Sequence, residues 1–387
     1  MKVVFTHPGS ELYGSDRMAV ATVKALTDAG HDVAVVIPEN GPLRDHFVEA
    51  GASVEISELP VLRKALLRPR ALMGLILRMP RTISQSRRIL RAEKADLVFA
   101  NTITQPWWLL SARLSRLPSI VHVREAETEI PVIAQRILLA PLSLADLSVA
   151  NSESTMDHVI ERGFRMRRKS VVIYNGKDWS PYFLSPFSGV GERPHLVFVG
   201  RLNPRKGPDV AIRALSQLVS RGIDARLTIV GSIFPGYEWY AEELHDLVGE
   251  LDVRARVDFA GFQADAAPYL ERSDIVIVPS RIEPFGTIAA EGMAAERPTV
   301  VSNVQGLVEI VNDQSIGRTF PVGDSQALAD VCLEIIRDDV LATSLARSGR
   351  SSVLERFSLE TYASEIVGAA ERSLAGRHDR GRKEVAA

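Results

Sequence analysis

Short, β-rich apolar runs alternate with longer helical patterns along the whole chain, and this alternation constrains the fold most. Seven candidate strands in the first half are 2–6, 32–37, 53–56, 97–101, 120–123, 147–150 and 171–174, and five in the second half are 196–199, 227–230, 257–259, 275–278 and 299–301. Such alternation is typical of parallel sheets connected by helices. A chain of 387 residues is long enough to form two domains of this kind.

The boundary between the two domains is predicted in the segment 179–194. This segment contains three prolines and two glycines, which cannot continue a helix or a sheet. We therefore predict an amino-terminal domain over 1–178, a carboxy-terminal domain over 195–357 and a linker over 179–194. The tail 374–387 lacks an apolar face and is predicted to be disordered.

The last helical pattern, 358–373, is consistent with two arrangements. It is either a terminal helix of the second domain or a helix that packs back on the first domain, and its periodicity does not distinguish them.

Composition indicates a protein of the cytoplasm that is soluble or peripheral to a membrane. The single cysteine, Cys332, cannot form a disulfide within the chain, which favours a reducing compartment. Met1 and Lys2 run directly into the first candidate strand, so no signal sequence is visible. The longest apolar stretches fall short of the roughly 20 residues that a membrane-spanning helix needs. No nucleic-acid partner is expected.

Residues 61–94 form a basic segment with ten Lys or Arg and one acidic residue, Glu93. Apolar residues are interleaved with these charges at helical spacing. This pattern fits a helix that rests on an anionic membrane surface, such as the inner membrane face, through Arg87, Arg88 and Arg91. It equally fits a helix that covers the sheet. Both interpretations remain open at the level of the sequence.

Charged side chains follow two strands of the second half. Arg201 and Lys206 come after the strand 196–199, and Glu283 comes in a Pro/Gly loop after the strand 275–278. In the helix that follows this loop, Thr287 and Glu291 are one turn apart on one face. Carboxyl ends of parallel strands share one edge of a sheet, where open α/β sheets bind ligands. The sequence thus predicts a pocket with cations for a diphosphate and carboxylates for sugar hydroxyls.

These residues are part of a set of motifs that resembles glycosyltransferase family 4. The motifs are Gly200-Arg201-Leu202 with Lys206-Gly207, Glu283-Pro284-Phe285-Gly286 with Glu291, Ile173-Tyr174-Asn175-Gly176, and Asn151-Ser152-Glu153-Ser154. The resemblance spans nearly the whole chain, and it implies an α/β protein of the GT-B fold, with two Rossmann-like parallel-sheet domains facing across a cleft.

The resemblance also implies roles for the site residues. Arg201 and Lys206 stabilise the diphosphate, Glu291 accepts hydrogen bonds from the ribose, and Glu283 binds the donor sugar. Phe285, Gly286 and Thr287 offer backbone N–H groups beside Glu283.

Family members of this kind retain the configuration of the transferred sugar without a protein nucleophile, so neither glutamate is assigned as one. The chain has no Asp-x-Asp triplet, the usual metal ligand of metal-dependent glycosyltransferases. No metal and no other cofactor are therefore expected.

The amino-terminal half is expected to bind the acceptor. Gly14 stands in an altered form of the family's glycine loop, where Tyr13 replaces the usual first glycine. His122 resembles the family histidine that reaches the donor sugar, and Arg124 and Glu125 are its predicted neighbours. A second departure is Gln305 in place of a glycine, while Glu309 keeps its family position.

The resulting hypothesis is a retaining glycosyltransferase with His122, Arg201, Lys206 and Glu283 as catalytic candidates. It would move a sugar from UDP or GDP to a saccharide or lipid-linked acceptor in cell-surface polysaccharide or glycolipid biosynthesis. One alternative is a nucleotide-sugar epimerase of the same fold, resembling the UDP-GlcNAc 2-epimerases, and another is a saccharide-binding protein without transfer activity. No Gly-x-Gly-x-x-Gly opens the first strand-helix unit, which counts against a nicotinamide-dependent dehydrogenase.

Overall fold

Two parallel β-sheets, each with its own helices, make up the protein in a computed structural model. The structure describes residues 1–10, 14–62, 69–124, 130–164, 166–233 and 236–385. Unit 1 consists of Met1–Gly176 and Leu359–Ala387, and unit 2 consists of Lys177–Ser358. The prediction of two Rossmann-like parallel-sheet domains is confirmed.

Unit 1 contains a seven-stranded sheet in the order β3-β2-β1-β4-β5-β6-β7, with every pair parallel. Its elements before the crossing to unit 2 are β1 (Lys2–Thr6), α1 (Gly14–Asp28), β2 (Asp32–Ile37), α2 (Leu43–Glu49), β3 (Ser53–Ile56), α3 (Pro69–Ala92), β4 (Leu97–Ala100), α4 (Pro106–Leu114), β5 (Ser119–Val123), α5 (Val132–Leu139), β6 (Leu147–Ala150), α6 (Glu153–Arg162) and β7 (Ser170–Val172).

Both faces of this sheet are buried, which explains why its central strands are apolar at successive positions. Val3 and Phe5 of β1 pack into a cluster with residues of α1, whereas Val4 points to the opposite face and packs near Trp107 and Trp108 of α4. Successive side chains of a strand point to opposite faces of the sheet. A strand that is covered on both faces therefore needs apolar residues at its odd and its even positions.

Unit 2 contains a six-stranded parallel sheet in the order β10-β9-β8-β11-β12-β13. Its elements are β8 (His195–Val199), α7 (Pro208–Ser220), β9 (Arg226–Val230), α8 (Glu238–Glu250), β10 (Val257–Gly261), α9 (Ala267–Glu271), β11 (Ile275–Val278), α10 (Thr287–Ala294), β12 (Thr299–Ser302), α11 (Gln305–Ile310), β13 (Arg318–Phe320), α12 (Ser325–Arg337) and α13 (Asp339–Arg356). The strand β13 was not predicted, because three residues are too few to show a period.

The segment that we predicted as a linker, 179–194, is instead packed into unit 2. Trp179, Tyr182 and Phe187 are buried, and the indole Nε1–H of Trp179 donates to the backbone oxygen of Phe357 at 2.8 Å. The chain therefore crosses between the units at Gly176–Lys177, before the proline-rich segment. The segment contains a short 3-10 helix, Ser180–Tyr182, but no α-helix or strand, as the prolines predicted. The aromatic residues between the prolines provide the apolar surface that holds the segment in place.

The last helix, α14 (Leu359–Val385), belongs to unit 1. Tyr362, Ile366, Ala369 and Ala370 are buried in the same cluster as the residues of α1. Of the two arrangements left open by periodicity, the structure has the one in which this helix packs on the amino-terminal domain. The helix also continues through most of the tail predicted to be disordered, 374–387, where alanine, arginine, lysine and glutamate favour helix even without an apolar face.

Much of the basic segment 61–94 lies in α3, whose carboxy-terminal part covers the sheet of unit 1. Ile89 and Leu90 are buried beside Trp107 and Trp108. Nearer its start, Met73 and Leu77 are 57% and 73% exposed. The basic residues Arg63, Lys64 and Arg68 lie outside the described residues. Among the described helices, none is both long and apolar enough to cross a membrane.

Candidate functional site

Two loops meet at the carboxyl edge of the sheet in unit 2, one after β8 and one after β11. The first ends in a 3-10 helix, Pro204–Lys206, followed by Gly207 with φ of 69°. A Cβ at Gly207 would lie 2.2 Å from the backbone oxygen of Pro279, so only glycine allows this approach. The backbone N–H of Arg281 donates to the oxygen of Arg205 at 2.7 Å and joins the two loops.

Lys206 and Glu283, which the sequence placed on different loops, form an ion pair here. Glu283 is 8% exposed, and its Oε2 also accepts a hydrogen bond from Ser280 Oγ at 3.1 Å. Its backbone N–H donates to Gln305 Oε1 at 2.8 Å. The carboxylate is thus held by a hydroxyl and by an ammonium group, and the ammonium group lies on a flexible stem that an anionic ligand can redirect.

Glu291 is paired with a second lysine, which sequence reasoning missed. Lys177 forms an ion pair with Glu291 and donates to the hydroxyl of Tyr182 at 2.7 Å, with its Nζ 4.4 Å from the centre of the Tyr182 ring. The sequence contained one signal for this residue, because Lys177 directly follows the Asn175-Gly176 motif. As predicted, Thr287 and Glu291 share α10 and are one turn apart.

The two residues before α10, Phe285 and Gly286, can offer a ligand their backbone but not a side chain. Phe285 is buried and packs edge-on against Phe357 at 5.6 Å, so only its backbone can serve a ligand. Gly286 has φ of 108° and starts α10, and a Cβ there would lie 2.6 Å from a methyl group of Leu307. Arg201 is the second residue after β8 and is half-buried.

A partly buried charge network supports the loop that carries Lys206. Arg281 donates to both oxygens of Asp209, at 2.9 and 2.7 Å, and to the backbone oxygen of Pro204 at 2.8 Å. Tyr240 donates to Asp209 at 2.6 Å. Burial alone would raise the pKa of Asp209, but the bonds from Arg281 and Tyr240 outweigh it and lower that pKa. Sequence reasoning did not identify this network, since its members are distant in the chain.

The departure from the family at Gln305 has a structural explanation. Gln305 has φ of 42°, a left-handed conformation that favours glycine, and its side chain compensates by accepting the backbone N–H of Glu283. The neighbouring Gly306 cannot be replaced in the same way, because a Cβ there would lie 2.4 Å from the backbone oxygen of Pro284. Glu309 lies in α11, as does Gln305.

At the carboxyl edge of the sheet in unit 1, Arg124 is the centre of a polar network. Its guanidinium donates to Asn101 Oδ1 at 3.1 Å, Asn175 Oδ1 at 2.8 Å, His122 Nδ1 at 3.1 Å and the hydroxyl of Tyr362 at 3.3 Å. These acceptors come from the ends of β4 and β5, from the segment after β7 and from α14. The predicted neighbour Glu125 lies outside the described residues.

The same network favours one tautomer of His7, the first residue after β1. Arginine is only a donor, so Asn101 turns its oxygen to Arg124 and its amide N–H to His7 Nδ1, 2.9 Å away. Nδ1 is then an acceptor, and Nε2–H donates to Asp16 Oδ1 at 3.0 Å. Asp16 lies in the first turn of α1, which begins at the predicted ligand residue Gly14. Tyr13 lies outside the described residues.

His122 lies deeper than we predicted. It is the penultimate residue of β5, close to the strand end as expected, but its ring is fully buried and edge-on to Phe99 at 6.2 Å. Within the described part of the chain its Nε2 has no hydrogen-bond partner. Burial, with a smaller contribution from Arg124, lowers its pKa well below the ordinary value, so the ring is neutral. Arg124 directly follows the last residue of β5.

Two family models match the chain, one in each half. "Glycosyltransferase Family 4" matches residues 13–179, and "Glycosyl transferases group 1" matches residues 186–352. Together they span most of the chain.

Curated relatives carry the same class of name. The lipopolysaccharide core biosynthesis glycosyltransferase LpsE of Rhizobium meliloti is 25% identical over 93% of this chain and 96% of its own length. An uncharacterized glycosyltransferase, MJ1607 of Methanocaldococcus jannaschii, is 34% identical, but the match spans 44% of this chain and less than half, 43%, of that relative.

Among solved structures, Anabaena Alr3699/HepE in complex with UDP and glucose has a TM-score of 0.79 at 24% identity. The match covers 95% of this chain and 98% of that one. This likeness shows the fold, and the names of the relatives favour a transferase over the epimerase alternative.

Proposed function

Because this chain belongs to glycosyltransferase family 4 and is a glycosyltransferase of the GT-B fold, we propose that it transfers a sugar from UDP or GDP with retention. The acceptor is a hydroxyl of a saccharide or of a lipid-linked saccharide, in the biosynthesis of a cell-surface polysaccharide or glycolipid. The bound UDP in the HepE structure and the lipopolysaccharide role in the name of LpsE support the donor and the pathway.

The donor binds at the carboxyl edge of unit 2. Lys206 and Arg201 stabilise the negative charge that develops on the diphosphate as the bond to the sugar breaks. The backbone N–H groups at the start of α10 add the positive end of a helix dipole. Glu283 accepts hydrogen bonds from the sugar hydroxyls, and Glu291 accepts them from the ribose. The pairing of Lys206 with Glu283 supports this proposal most, since it brings the cation for the phosphate next to the carboxylate for the sugar.

In the proposed reaction the bond from the sugar to the diphosphate breaks, and the acceptor oxygen bonds to the same face of the sugar. The acceptor proton passes to the leaving phosphate. Arg201 and Lys206 supply the charge stabilisation that a divalent ion provides in metal-dependent enzymes, so activity should survive EDTA. Abolition by EDTA would contradict metal independence without affecting the assignment of the donor.

His122 contributes indirectly in this proposal. Its buried, neutral ring accepts from Arg124 and thereby helps to hold that guanidinium at the strand end. It is a positioning residue rather than a group that touches the sugar.

Association with a membrane surface is proposed only for the start of α3. Met73 and Leu77 are exposed there, whereas Ile89 and Leu90 near the other end are used in the core. Binding to vesicles containing phosphatidylglycerol tests this. Replacing both Met73 and Leu77 by serine should release the protein, and equal binding would contradict the proposal.

A thermal-shift series with UDP, GDP, ADP and the corresponding sugar nucleotides tests the proposed donor. A ligand that binds only the folded state raises the melting temperature in proportion to the logarithm of its saturation. We expect UDP or GDP to produce a shift that Glu291→Ala reduces and that an exposed control, Glu243→Ala on α8, leaves unchanged. Equal shifts in both variants would place the nucleotide elsewhere.

Incubation with the stabilising sugar nucleotide in the absence of acceptor then separates transfer from epimerisation. A transferase leaves the sugar stereochemistry unchanged under these conditions, whereas an epimerase interconverts it.

A further inference from the structure

We propose that a groove in unit 1 binds a saccharide that carries an acidic group, either a carboxylate or a phosphate. The groove has a volume of about 660 Å³ and lies beside Glu39, Glu58, Arg78 and Arg81. We call it the β2–β3 groove, because Glu39 follows β2 and Glu58 follows β3. The inference rests on the proposed function in one respect, which is that the bound saccharide is the acceptor.

The groove lies at the carboxyl edge of the sheet, where open α/β sheets bind ligands. Its walls are tied to neighbouring loops of the same edge. Ser10, in the loop after β1, donates to Glu39 at 3.5 Å, and the backbone N–H of Leu62 donates to the oxygen of Thr104, after β4, at 2.8 Å. Gly41 packs so closely on Ser10 that a Cβ would lie 2.6 Å from the Ser10 backbone oxygen. These contacts fix the walls of the groove to the neighbouring loops at the carboxyl edge of the sheet.

Two arginines provide the recognition of an acidic group. Arg78 and Arg81 are three residues apart on α3, which places them on neighbouring positions of one helix face. Both are exposed, and neither guanidinium has a hydrogen bond or ion pair with any residue that the structure describes. The planar guanidinium fork matches the two oxygens of a carboxylate or phosphate.

The acidic residues of the groove have not neutralised these arginines. Glu58 is exposed and forms no ion pair within the described ranges, and the bond that Glu39 accepts comes from a neutral hydroxyl. Carboxylates accept hydrogen bonds from several hydroxyls at once, which suits them to a sugar ring. The groove thus keeps donors for an anion and acceptors for hydroxyls available at the same time.

The remaining surface and the size of the groove also fit a saccharide. Leu59 is buried beneath it, and Pro60 and Val61 line it with apolar surface for the C–H faces of a sugar. Gln85 adds an amide, which is held by a hydrogen bond to Ser57 at 2.9 Å. A volume of about 660 Å³ lies within the usual range for small-molecule sites, roughly 300 to 1,000 Å³.

The test compares binding of three probes, namely glucose, glucuronate and glucose 6-phosphate, by calorimetry. The variant Arg78→Ala/Arg81→Ala removes both guanidinium groups of the groove. The matched control, Arg88→Ala/Arg91→Ala, removes two exposed arginines of the same helix that do not line the groove.

We expect the wild-type protein to bind at least one acidic sugar about tenfold or more tightly than glucose, as a charged hydrogen bond contributes that much. The groove variant should lose this preference, and the control should keep it. A preference for glucuronate identifies a carboxylate, and one for glucose 6-phosphate identifies a phosphate. Equal binding of all three sugars, or equal loss in both variants, would overturn the inference.

Failure of this inference is distinguishable from failure of the proposed function. The stabilisation by UDP or GDP depends on unit 2 and should be the same in the wild-type protein, the groove variant and the control. If the acidic sugar binds through the two arginines but no nucleotide stabilises the protein, the groove is real and its role as an acceptor site is overturned.

Discussion

The polar edges of the two sheets differ in how their charged groups are held. In unit 1, the guanidinium of Arg124 is held by acceptors from four separate parts of the unit. In unit 2, Lys206 and Lys177 each neutralise one carboxylate at the end of a long, flexible side chain. A planar group with several fixed partners is part of the structure, whereas a lysine on a single carboxylate can exchange that partner for a ligand.

This difference leads to different consequences of mutation in the two units. Substitutions in the network of Arg124 should change stability, because they leave buried acceptors without a donor. Substitutions in the lysine pairs of unit 2 should change the reaction or ligand binding while the melting temperature is nearly retained.

The largest expected effect is on transfer by Lys206→Ala. Loss of this ammonium removes charge stabilisation from the departing diphosphate, and we expect kcat/KM to fall roughly a hundred- to thousandfold. The control is Arg213→Ala, an exposed arginine on α7, and both variants should melt within a few degrees of wild type. Wild-type activity of Lys206→Ala would remove this residue from the site.

Arg124→Met should produce the largest loss of stability. It removes the donor of four hydrogen bonds and leaves their acceptors partly unsatisfied, at an expected cost of about 2 to 4 kcal/mol in the free energy of unfolding. Chemical denaturation measures it. The stability of Arg124→Lys should lie between those of the wild type and Arg124→Met, because an ammonium group has three donors and the guanidinium has five. Unchanged stability in both variants would refute the distinction between the two edges.

Lys177→Met tests the pair that the sequence did not predict. If Lys177 orients Glu291 for the ribose, the Kd for the stabilising nucleotide should rise about five- to tenfold, measured by calorimetry. Glu291→Gln should weaken binding by a similar factor, and the double variant should be little worse than either single one. Tighter binding by Lys177→Met would mean that the lysine competes with the nucleotide instead.

The smallest effect is the pH dependence of stability that comes from His122 and His195. Burial lowers the pKa of His122 in unit 1 and of His195 in unit 2. When the pH falls below the ordinary histidine pKa of about 6.5, the histidine is protonated in the unfolded chain but stays neutral in the folded protein. Stability therefore falls as the pH drops from about 6.5 towards the folded pKa, by at most about 1.4 kcal/mol per pH unit for each ring.

Melting temperatures between pH 7.5 and pH 5 measure this slope. His122→Gln should flatten it more than His195→Gln, because His195 has a partner at both ring nitrogens whereas the Nε2 of His122 has none in the described part of the chain. An equal slope in wild type and His122→Gln would show that the ring is not buried as a neutral group.

Much of the candidate site in unit 2 could be predicted from the sequence, because the apolar run of each strand shows where that strand ends. Runs such as Ile275–Val278 predict buried strands, and the residues after them are brought to one edge by parallel topology. Arg281 follows β11 in the same loop as Glu283, and it was missed because its partner Asp209 is 72 positions away in the chain. Lys177 was missed because its partner Glu291 is 114 positions away. The predicted strand 120–123 ends at the same residue as β5, so the position of His122 in the strand was predicted correctly. Its full burial was not, because neighbours such as Phe99 come together with it only in the fold.

The sequence by itself determined the two parallel sheets and the family, because strand and helix periods and short motifs are local properties of the chain. The tertiary structure decided which charges meet, as in the pair of Lys206 with Glu283, since residues 77 positions apart come together only through the order of strands in the sheet. It also decided that Trp179 packs into unit 2 and that α14 returns to unit 1. These depend on which apolar surface is still uncovered after the sheets have formed, a property of the folded chain that no local pattern contains.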